Sequence, residues 1–420
     1  MGIDGNTYEL IISAHNDVTK YFDIHEHLAE YHQARLLDAM NECKISGRHF
    51  APTSGYGYGD EGRDMLDRLF ASVFGGEDAI VRVQWASATH ALNDCMFAML
   101  RPGEAMLSIT GKPYDTLDKT IGLGEPYVCG SLKDWGIGYY QTDLTPDGNI
   151  DLSKVATLLD VEKIKLLLIQ RSGGYNRRPS ITIEKMQTAI DFIKSKRPDI
   201  CVLVDNCYGE FTENKEPCPA GADLVVGSLI KNPGGGLAPT GAYAVGTKQA
   251  IERLSCTFTT PGLGKEIGSY AASYTPFYQG LFLAPHVVSQ AIKGAILTAK
   301  VFASLGYKVF PLPQDKRSDI IQSIEFNNAD ELIAFCRAIQ AASPVDGHVM
   351  PYPWDMPGYS HKVIMAAGTF VQGASIELSA DAPIKEPYIA FMQGGLTYAH
   401  VKIALIRVVQ SLKKQGYIPR

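Results

Sequence analysis

The chain has 420 residues and a net charge of −6, with 45% hydrophobic and 20% charged residues. This composition is that of a globular protein long enough for two domains, and the negative charge without a basic tract argues against nucleic-acid binding. No apolar run reaches the roughly 18 residues of a membrane span, the first residues do not resemble a signal peptide, and the eight cysteines form no CxxC pair. We therefore expect a cytoplasmic protein with reduced thiols and no metal site.

The predicted elements divide the chain into three segments. Residues 1–50 carry apolar side chains at helical spacing and predict an N-terminal helical arm. In residues 51–290 strands alternate with helices, which predicts a large domain with a mostly parallel sheet covered on both faces. Residues 291–420 predict a smaller C-terminal α+β domain. The predicted strands are 79–84, 105–109, 165–170, 200–205, 224–228, 242–245, 308–310, 323–326 and 374–378, and the clearest helices are 182–196, 276–304 and 398–413.

A turn-rich stretch rich in glycine and tyrosine opens the large domain. Residues 57–62 match the pattern GxGxxG, but no βαβ unit surrounds them, so we do not interpret them as a dinucleotide-binding loop. The loop that bears Tyr56, Tyr58 and Arg63 fits better as an arm that reaches a neighbouring subunit.

The first candidate site element is a strand followed by small residues at the start of a helix. Ser87, Ala88 and Thr89 offer backbone N–H groups and two hydroxyl groups at a helix N-terminus, where anions bind favourably. This pattern predicts a phosphate site. An ordinary helix cap at Ser87 is the structural alternative.

Two further loops follow predicted strands at the same edge of the sheet. Tyr114 comes after the strand 105–109 and offers a flat ring that could stack on a pyridine ring, although a core tyrosine is the alternative. After the strand 165–170, Arg171 and Arg178 concentrate positive charge where a substrate carboxylate could bind. A solvated basic loop is the alternative for these arginines.

Asp205 and Lys231 carry the strongest signal in the chain. Each residue ends or follows an apolar strand, and Lys231 is followed by Asn-Pro-Gly-Gly-Gly. Parallel strands bring such residues to one carboxyl edge, where open α/β sheets bind ligands. A lysine that forms a Schiff base and an acid that pairs with the pyridine nitrogen are the two groups that pyridoxal phosphate requires. Tyr208 would contact the ring hydroxyl, and Ser228 would add a phosphate contact.

The same motifs resemble those of the pyridoxal phosphate enzymes of fold type I, and more narrowly the lyases of cysteine and methionine metabolism. The nearest resemblance is to the methionine γ-lyase-like group described as cystathionine β-lyases of aluminium resistance. The resemblance implies an aspartate-aminotransferase-like fold with a seven-stranded large-domain sheet. The stretches that carry it are 54–66, 81–91, 170–180, 204–211, 227–236 and 393–398.

The resemblance also implies an assembly. It implies a homotetramer built from dimers that share active sites, with Tyr56 or Tyr58 reaching the partner subunit's phosphate. The chain departs from the better-known lyases of this group in two places. Its small domain lacks an Arg-x-Ser pattern for the substrate carboxylate, and the tyrosine and arginine of the arm are spaced differently.

These residues predict a pyridoxal phosphate-dependent carbon–sulfur lyase that acts on a sulfur amino acid such as cystathionine or methionine. Lys231 would take the Cα proton, with Asp205 and Tyr114 supporting the cofactor ring. The sequence does not separate β- from γ-elimination. The alternatives are an aminotransferase or aldolase with the same machinery, and a catalytically silent protein with a scaffold or regulatory role.

Overall fold

The computed structural model describes residues 4–124, 127–176, 178–356, 359 and 361–419. Helices and strands are numbered here in chain order. The helices are α1 Gly5–Val18, α2 Asp23–Glu42, α3 Glu61–Phe74, α4 Ala88–Met99, α5 Thr116–Ile121, α6 Leu152–Leu159, α7 Ile183–Lys196, α8 Lys248–Phe258, α9 Thr275–Ser304, α10 Ala329–Ala341 and α11 Tyr398–Gln415. The strands are β1 Asp78–Arg82, β2 Ala105–Ser108, β3 Gly138–Gln141, β4 Ile164–Gln170, β5 Cys201–Asp205, β6 Leu224–Ser228, β7 Ala242–Gly246, β8 Lys308–Phe310, β9 Ile321–Glu325, β10 Val363–Ala366, β11 Ser379–Pro383 and β12 Ile389–Gln393.

The large sheet has seven strands in the order β1-β7-β6-β5-β4-β2-β3. The pairs from β6 to β3 are parallel, whereas β7 runs antiparallel to both β1 and β6. The predicted mostly parallel, seven-stranded sheet is therefore confirmed. The strand β3 was not among the predicted strands, because its residues are half-buried and do not form an apolar run.

The smaller sheet has five antiparallel strands in the order β10-β11-β12-β9-β8. The prediction of a strand at 374–378 is wrong, since these residues form turns and β11 begins at Ser379. The sequence of β11, Ser-Ala-Asp-Ala-Pro, contains no β-branched or aromatic residue. Its extended conformation therefore depends on pairing with the neighbouring strands β10 and β12. The strands β10 and β12 were also not predicted.

The helix α9 connects the two sheets and is the longest helix of the described chain. By length and composition it could cross a membrane, but 78% of its most apolar 18-residue window is buried inside this chain. The helices α1, α2 and α11 pack against it, as do the small-domain strands β8 and β9. It therefore serves as a core helix, and the helices of the predicted N-terminal arm lie on its surface.

Candidate active site

The side chain of Lys231 lies half-buried beyond the end of β6, close to the acidic side chains of Asp205 and Glu210. Its Nζ atom is 4.1 Å from the centre of the Tyr208 ring. Burial acts to lower the pKa of Lys231, but the nearby side chains of Cys207, Tyr208, Asp205 and Glu210 raise it above its ordinary value. Tyr208 itself adopts the left-handed backbone conformation, with φ of 72°, which is unusual for a bulky residue.

Asp205 ends β5, the strand next to β6, with its carboxyl group directed along the chain toward Cys207. The register of this parallel pair aligns Asp205 with Val226. One carboxyl oxygen, Oδ1, accepts a hydrogen bond from the Cys207 N–H at 3.1 Å. Burial raises the pKa of Asp205, and the positive charge of Lys231 opposes this change. A buried carboxyl group in this position can form an ion pair with a cationic partner such as a protonated pyridine nitrogen.

The predicted phosphate site lies where β1 leads into α4. Ser87 is the N-cap of α4, and its Oγ accepts a hydrogen bond from the His90 N–H at 3.1 Å. Ser87 therefore caps the helix, as the alternative interpretation expected. The cap leaves the N–H groups of Ala88 and Thr89, the first in the helix, without acceptors inside the helix. Thr89 Oγ1 lies 3.0 Å from Thr116 Oγ1. This helix start can bind an anion while its cap is intact.

Tyr114 lies between β2 and α5 and borders the same space. Its backbone N–H donates to Gln170 Oε1 at 2.6 Å, which ties its loop to the end of β4. Its hydroxyl contacts the hydroxyl of Tyr359, and its ring meets the Tyr175 ring edge to face at 5.5 Å. These contacts hold the ring firmly, as a stacking residue requires. The stacking role itself stays a prediction.

Two adjoining cavities bring the predicted residues together. The larger has a volume of about 450 Å³ and the smaller about 90 Å³. The smaller is lined by Asp205, and Lys231 borders both. The larger cavity is lined by the predicted residues Ser87, Ala88, Thr89, Tyr114, Tyr208, Ser228 and Lys231. A helix N-terminus for a phosphate, an acid for a ring nitrogen and a lysine amine thus surround one space, which fits the groups of pyridoxal phosphate.

Arg171 points away from this space. It is fully buried and donates to Asn206 Oδ1, the Gly209 backbone oxygen and Glu213 Oε1 at 2.8–2.9 Å. It is not among the described residues that line either cavity. These contacts give Arg171 a structural role and do not favour its predicted substrate role, which stays a prediction.

Arg178 binds the backbone of its own loop. It donates to the carbonyl oxygens of Gln170, Ser172 and Pro179 at 2.7–3.1 Å, and burial lowers its pKa to about 10. Its neighbour Arg177 lies outside the described residues. The substrate role of Arg178 stays a prediction, and these contacts do not favour it.

Tyr56 and Tyr58 lie on the surface, on the loop before α3. Their exposed fractions are 71% and 64%. Neither is among the described residues that line the two cavities. Arg63, by contrast, is only 1% exposed and donates to the backbone oxygen of Gly57 at 2.9 Å, so it shapes the loop from within its own chain. Exposed tyrosines on a loop braced in this way are available to a second subunit.

The part of the chain that forms the five-stranded sheet supplies cavity residues that the sequence analysis did not predict. Ser375 accepts a hydrogen bond from the Tyr208 hydroxyl at 3.0 Å. Asp381 and Gln393 come from neighbouring strands and are joined by a hydrogen bond of 3.0 Å. Their strands were not predicted, so no pattern placed these polar residues at the site.

Comparison with known proteins gives a consistent family. The sequence profile of a family described as methionine gamma-lyase matches residues 7–413. The uncharacterized protein YnbB of Bacillus subtilis (strain 168) is 53% identical over 393 residues, which cover 94% of this chain and 93% of that protein. A solved carbon-sulfur lyase involved in aluminum resistance from Clostridium novyi NT is 49% identical, with a TM-score of 0.94 over 98% of this chain and 96% of its own.

A distant structure extends the likeness of fold. The pyridoxal-5'-phosphate-dependent protein YhfS from Escherichia coli has a TM-score of 0.61 at 16% identity, and the match covers 91% of this chain and 96% of that chain. At this identity the similarity concerns the fold alone. Together with the sheet order, it confirms the expected fold type I.

Proposed function

Because the chain belongs to the methionine γ-lyase family, we propose that it is a pyridoxal phosphate-dependent carbon–sulfur lyase. Its substrate would be a sulfur amino acid such as cystathionine or methionine, cleaved by β- or γ-elimination. The observation that carries the proposal is the meeting of Lys231, Asp205 and the N-terminus of α4 around two adjoining cavities.

Each residue of the site would have its own role in binding the cofactor. Ser87, Ala88 and Thr89 would bind the cofactor phosphate, and Ser228 would add a contact. Tyr114 would stack on the ring, and Tyr208 would contact its hydroxyl. Asp205 would keep the ring nitrogen protonated. When bound, pyridoxal phosphate supplies an electron sink for the bond that breaks at the substrate Cα.

Lys231 would have two roles. It would hold the cofactor covalently through Nζ, and after the substrate amine displaces it, the same nitrogen would take the Cα proton. The aromatic ring of Tyr208 beneath Nζ limits the positions that this amine can reach. In β-elimination a thiol then leaves Cβ, whereas γ-elimination requires a further proton removal at Cβ before sulfur leaves Cγ.

The test is an assay of the purified protein loaded with pyridoxal phosphate. Sulfur amino acids are screened for release of thiol, ammonia and 2-keto acid together. We expect Lys231→Ala to lose at least about 10²–10⁴-fold in turnover. Lys248→Ala, an exposed lysine at the start of α8, is the matched control and should retain activity. Amine transfer without thiol release, or a protein that does not take up the cofactor, would contradict the proposal.

We also propose that the enzyme works in the cytoplasm as a homo-oligomer with shared sites. The eight free cysteines agree with a reducing compartment. The exposed Tyr56 and Tyr58 support an assembly in which this loop contacts a second subunit.

A further inference from the structure

The strand β11 of the five-stranded sheet places a half-buried carboxyl group on the wall of the larger cavity. Asp381 lies in the middle of β11 and lines this cavity. Gln393 on β12 donates to Asp381 Oδ2 from Nε2 at 3.0 Å, which fixes the orientation of the carboxyl group. Since Gln393 is an uncharged donor, it does not neutralise Asp381.

A second polar group stands beside this carboxylate without a partner. Ser379 precedes Asp381 by two residues on β11, so the two side chains project from the same face of the strand. Ser379 is 4% exposed and lines the same cavity, and its Oγ has no hydrogen-bond partner among the described residues. Buried hydroxyl groups are normally paired, so an unpaired one on a cavity wall points to a ligand.

The charged residues around the cavity also favour a cationic ligand at this wall. Among the described residues that line it, Lys231 and Asp381 are the charged ones. Lys231 is also faced by Asp205 and Glu210, and in the proposed function its nitrogen is committed to the cofactor. Burial raises the pKa of Asp381, while the Gln393 and Tyr175 side chains and the positive charge of Lys231 oppose this change. A half-buried carboxylate on a cavity wall is stabilised when a ligand supplies a positive charge beside it.

We propose that Asp381 and Ser379 form a subsite for a cationic group, an ammonium carried by the side chain of the substrate. Gln393 orients Asp381 for this contact. The inference rests on the proposed function, since it concerns the amino acid that the cofactor binds. It selects thioether amino acids that carry a second, distal amine over those with a neutral side chain. Asp381 is thereby a specificity-determining residue, and the ammonium contributes three donors for two acceptors on β11.

The test measures binding to the cofactor-loaded protein without requiring turnover. Dissociation constants are determined from the change in cofactor absorbance on titration with L-lysine, with its neutral isostere L-2-aminoheptanoic acid, and with the acidic L-2-aminoadipic acid. We expect the parent to bind lysine at least about tenfold more tightly than either other probe. Asp381→Asn should remove this preference and leave the affinity for 2-aminoheptanoic acid within about twofold.

Two further variants separate the subsite from general damage. Ser379→Ala should weaken lysine binding by a few-fold and leave the neutral probe unchanged. Asp147→Asn, an exposed residue in the turn before α6, is the control and should behave as the parent does. Cofactor absorbance and the unfolding temperature of each variant establish that it is folded and loaded. Equal affinity for lysine and the neutral probe, tighter binding of aminoadipic acid, or a lysine preference that survives in Asp381→Asn would overturn the proposal.

The outcome is distinguishable from failure of the lyase assignment. A protein that binds lysine selectively through Asp381 but releases no thiol from any sulfur amino acid supports the subsite and contradicts the lyase. A protein that releases thiol but shows no lysine preference contradicts the subsite alone.

Discussion

At the scale of single residues, the first prediction concerns the effect of the Asp205 carboxyl group on turnover. Asp205→Asn keeps the shape of the side chain but cannot keep a ring nitrogen protonated. We expect the cofactor to remain bound, because the phosphate and lysine contacts are untouched, while turnover falls by about 10²-fold or more. Cofactor absorbance and initial rates measured on the same sample check this. Turnover within a few-fold of the parent would contradict the proposed role.

Individual residues also show what the sequence could predict. The position of Lys231 and Asp205 at one edge of the sheet could be predicted, because each ends or follows an apolar strand and parallel strands carry such residues to one edge. The structural contacts of Arg171 could not be predicted, because its partners Asn206 and Glu213 lie more than 30 residues away in the chain. Asp381 was missed because its strand has no apolar pattern and forms only through its neighbours.

At the scale of elements, α2 contains a buried histidine that makes stability depend on pH. His32 is 1% exposed and its Nε2–H donates to the Glu213 backbone oxygen at 2.7 Å. Burial lowers the pKa of His32 to about 4 from 6.5, so the unfolded chain binds this proton first. The stabilisation is therefore complete above pH 6.5 and is lost as the pH falls toward 4.

The magnitude follows from about 1.4 kcal/mol per pH unit. Between pH 6.5 and 5, the free energy of unfolding of the parent should fall by about 2 kcal/mol more than that of His32→Gln. Denaturant titrations at the two pH values measure the difference. His27→Gln, an exposed residue on the same helix, is the control and should fall as the parent does. Equal falls in the parent and in His32→Gln would show that this histidine does not carry the effect.

The contact between α9 and the loop after Lys231 gives a second prediction at this scale. Gly280 on α9 lies against Gly234, and a Cβ atom added to Gly280 would overlap the carbonyl oxygen of Gly234. We expect Gly280→Ala to lower the free energy of unfolding by roughly 1–3 kcal/mol, because backbone must move. The displaced loop should also weaken cofactor binding.

The variant Gly5→Ala is the matched control for Gly280→Ala. Gly5 on α1 has no atom within 4 Å of an added Cβ, so Gly5→Ala should leave both stability and cofactor affinity close to those of the parent. Thermal unfolding and cofactor titration of the two variants provide the comparison. Unchanged cofactor affinity in a destabilised Gly280→Ala would mean that the loop adjusts without moving Lys231.

At the scale of the whole molecule, the exposed tyrosines predict that a site contains residues from two chains. Mixing Lys231→Ala chains with Tyr58→Phe chains should form hybrid dimers in which one site has both native residues. Activity should then exceed that of either parent variant. No gain, with hybrids shown to form and both variants impaired, would mean that Tyr58 acts within its own chain.

The placement of β7 between β1 and β6 has a consequence for how the protein is made. The strand β1, which leads into the phosphate-binding helix start, pairs with β7, and five other strands lie between them in the sequence. During synthesis, β1 must therefore wait for β7 to leave the ribosome before it has its neighbour. A chain that ends before β7 is thus expected to bind no cofactor and to remain colourless.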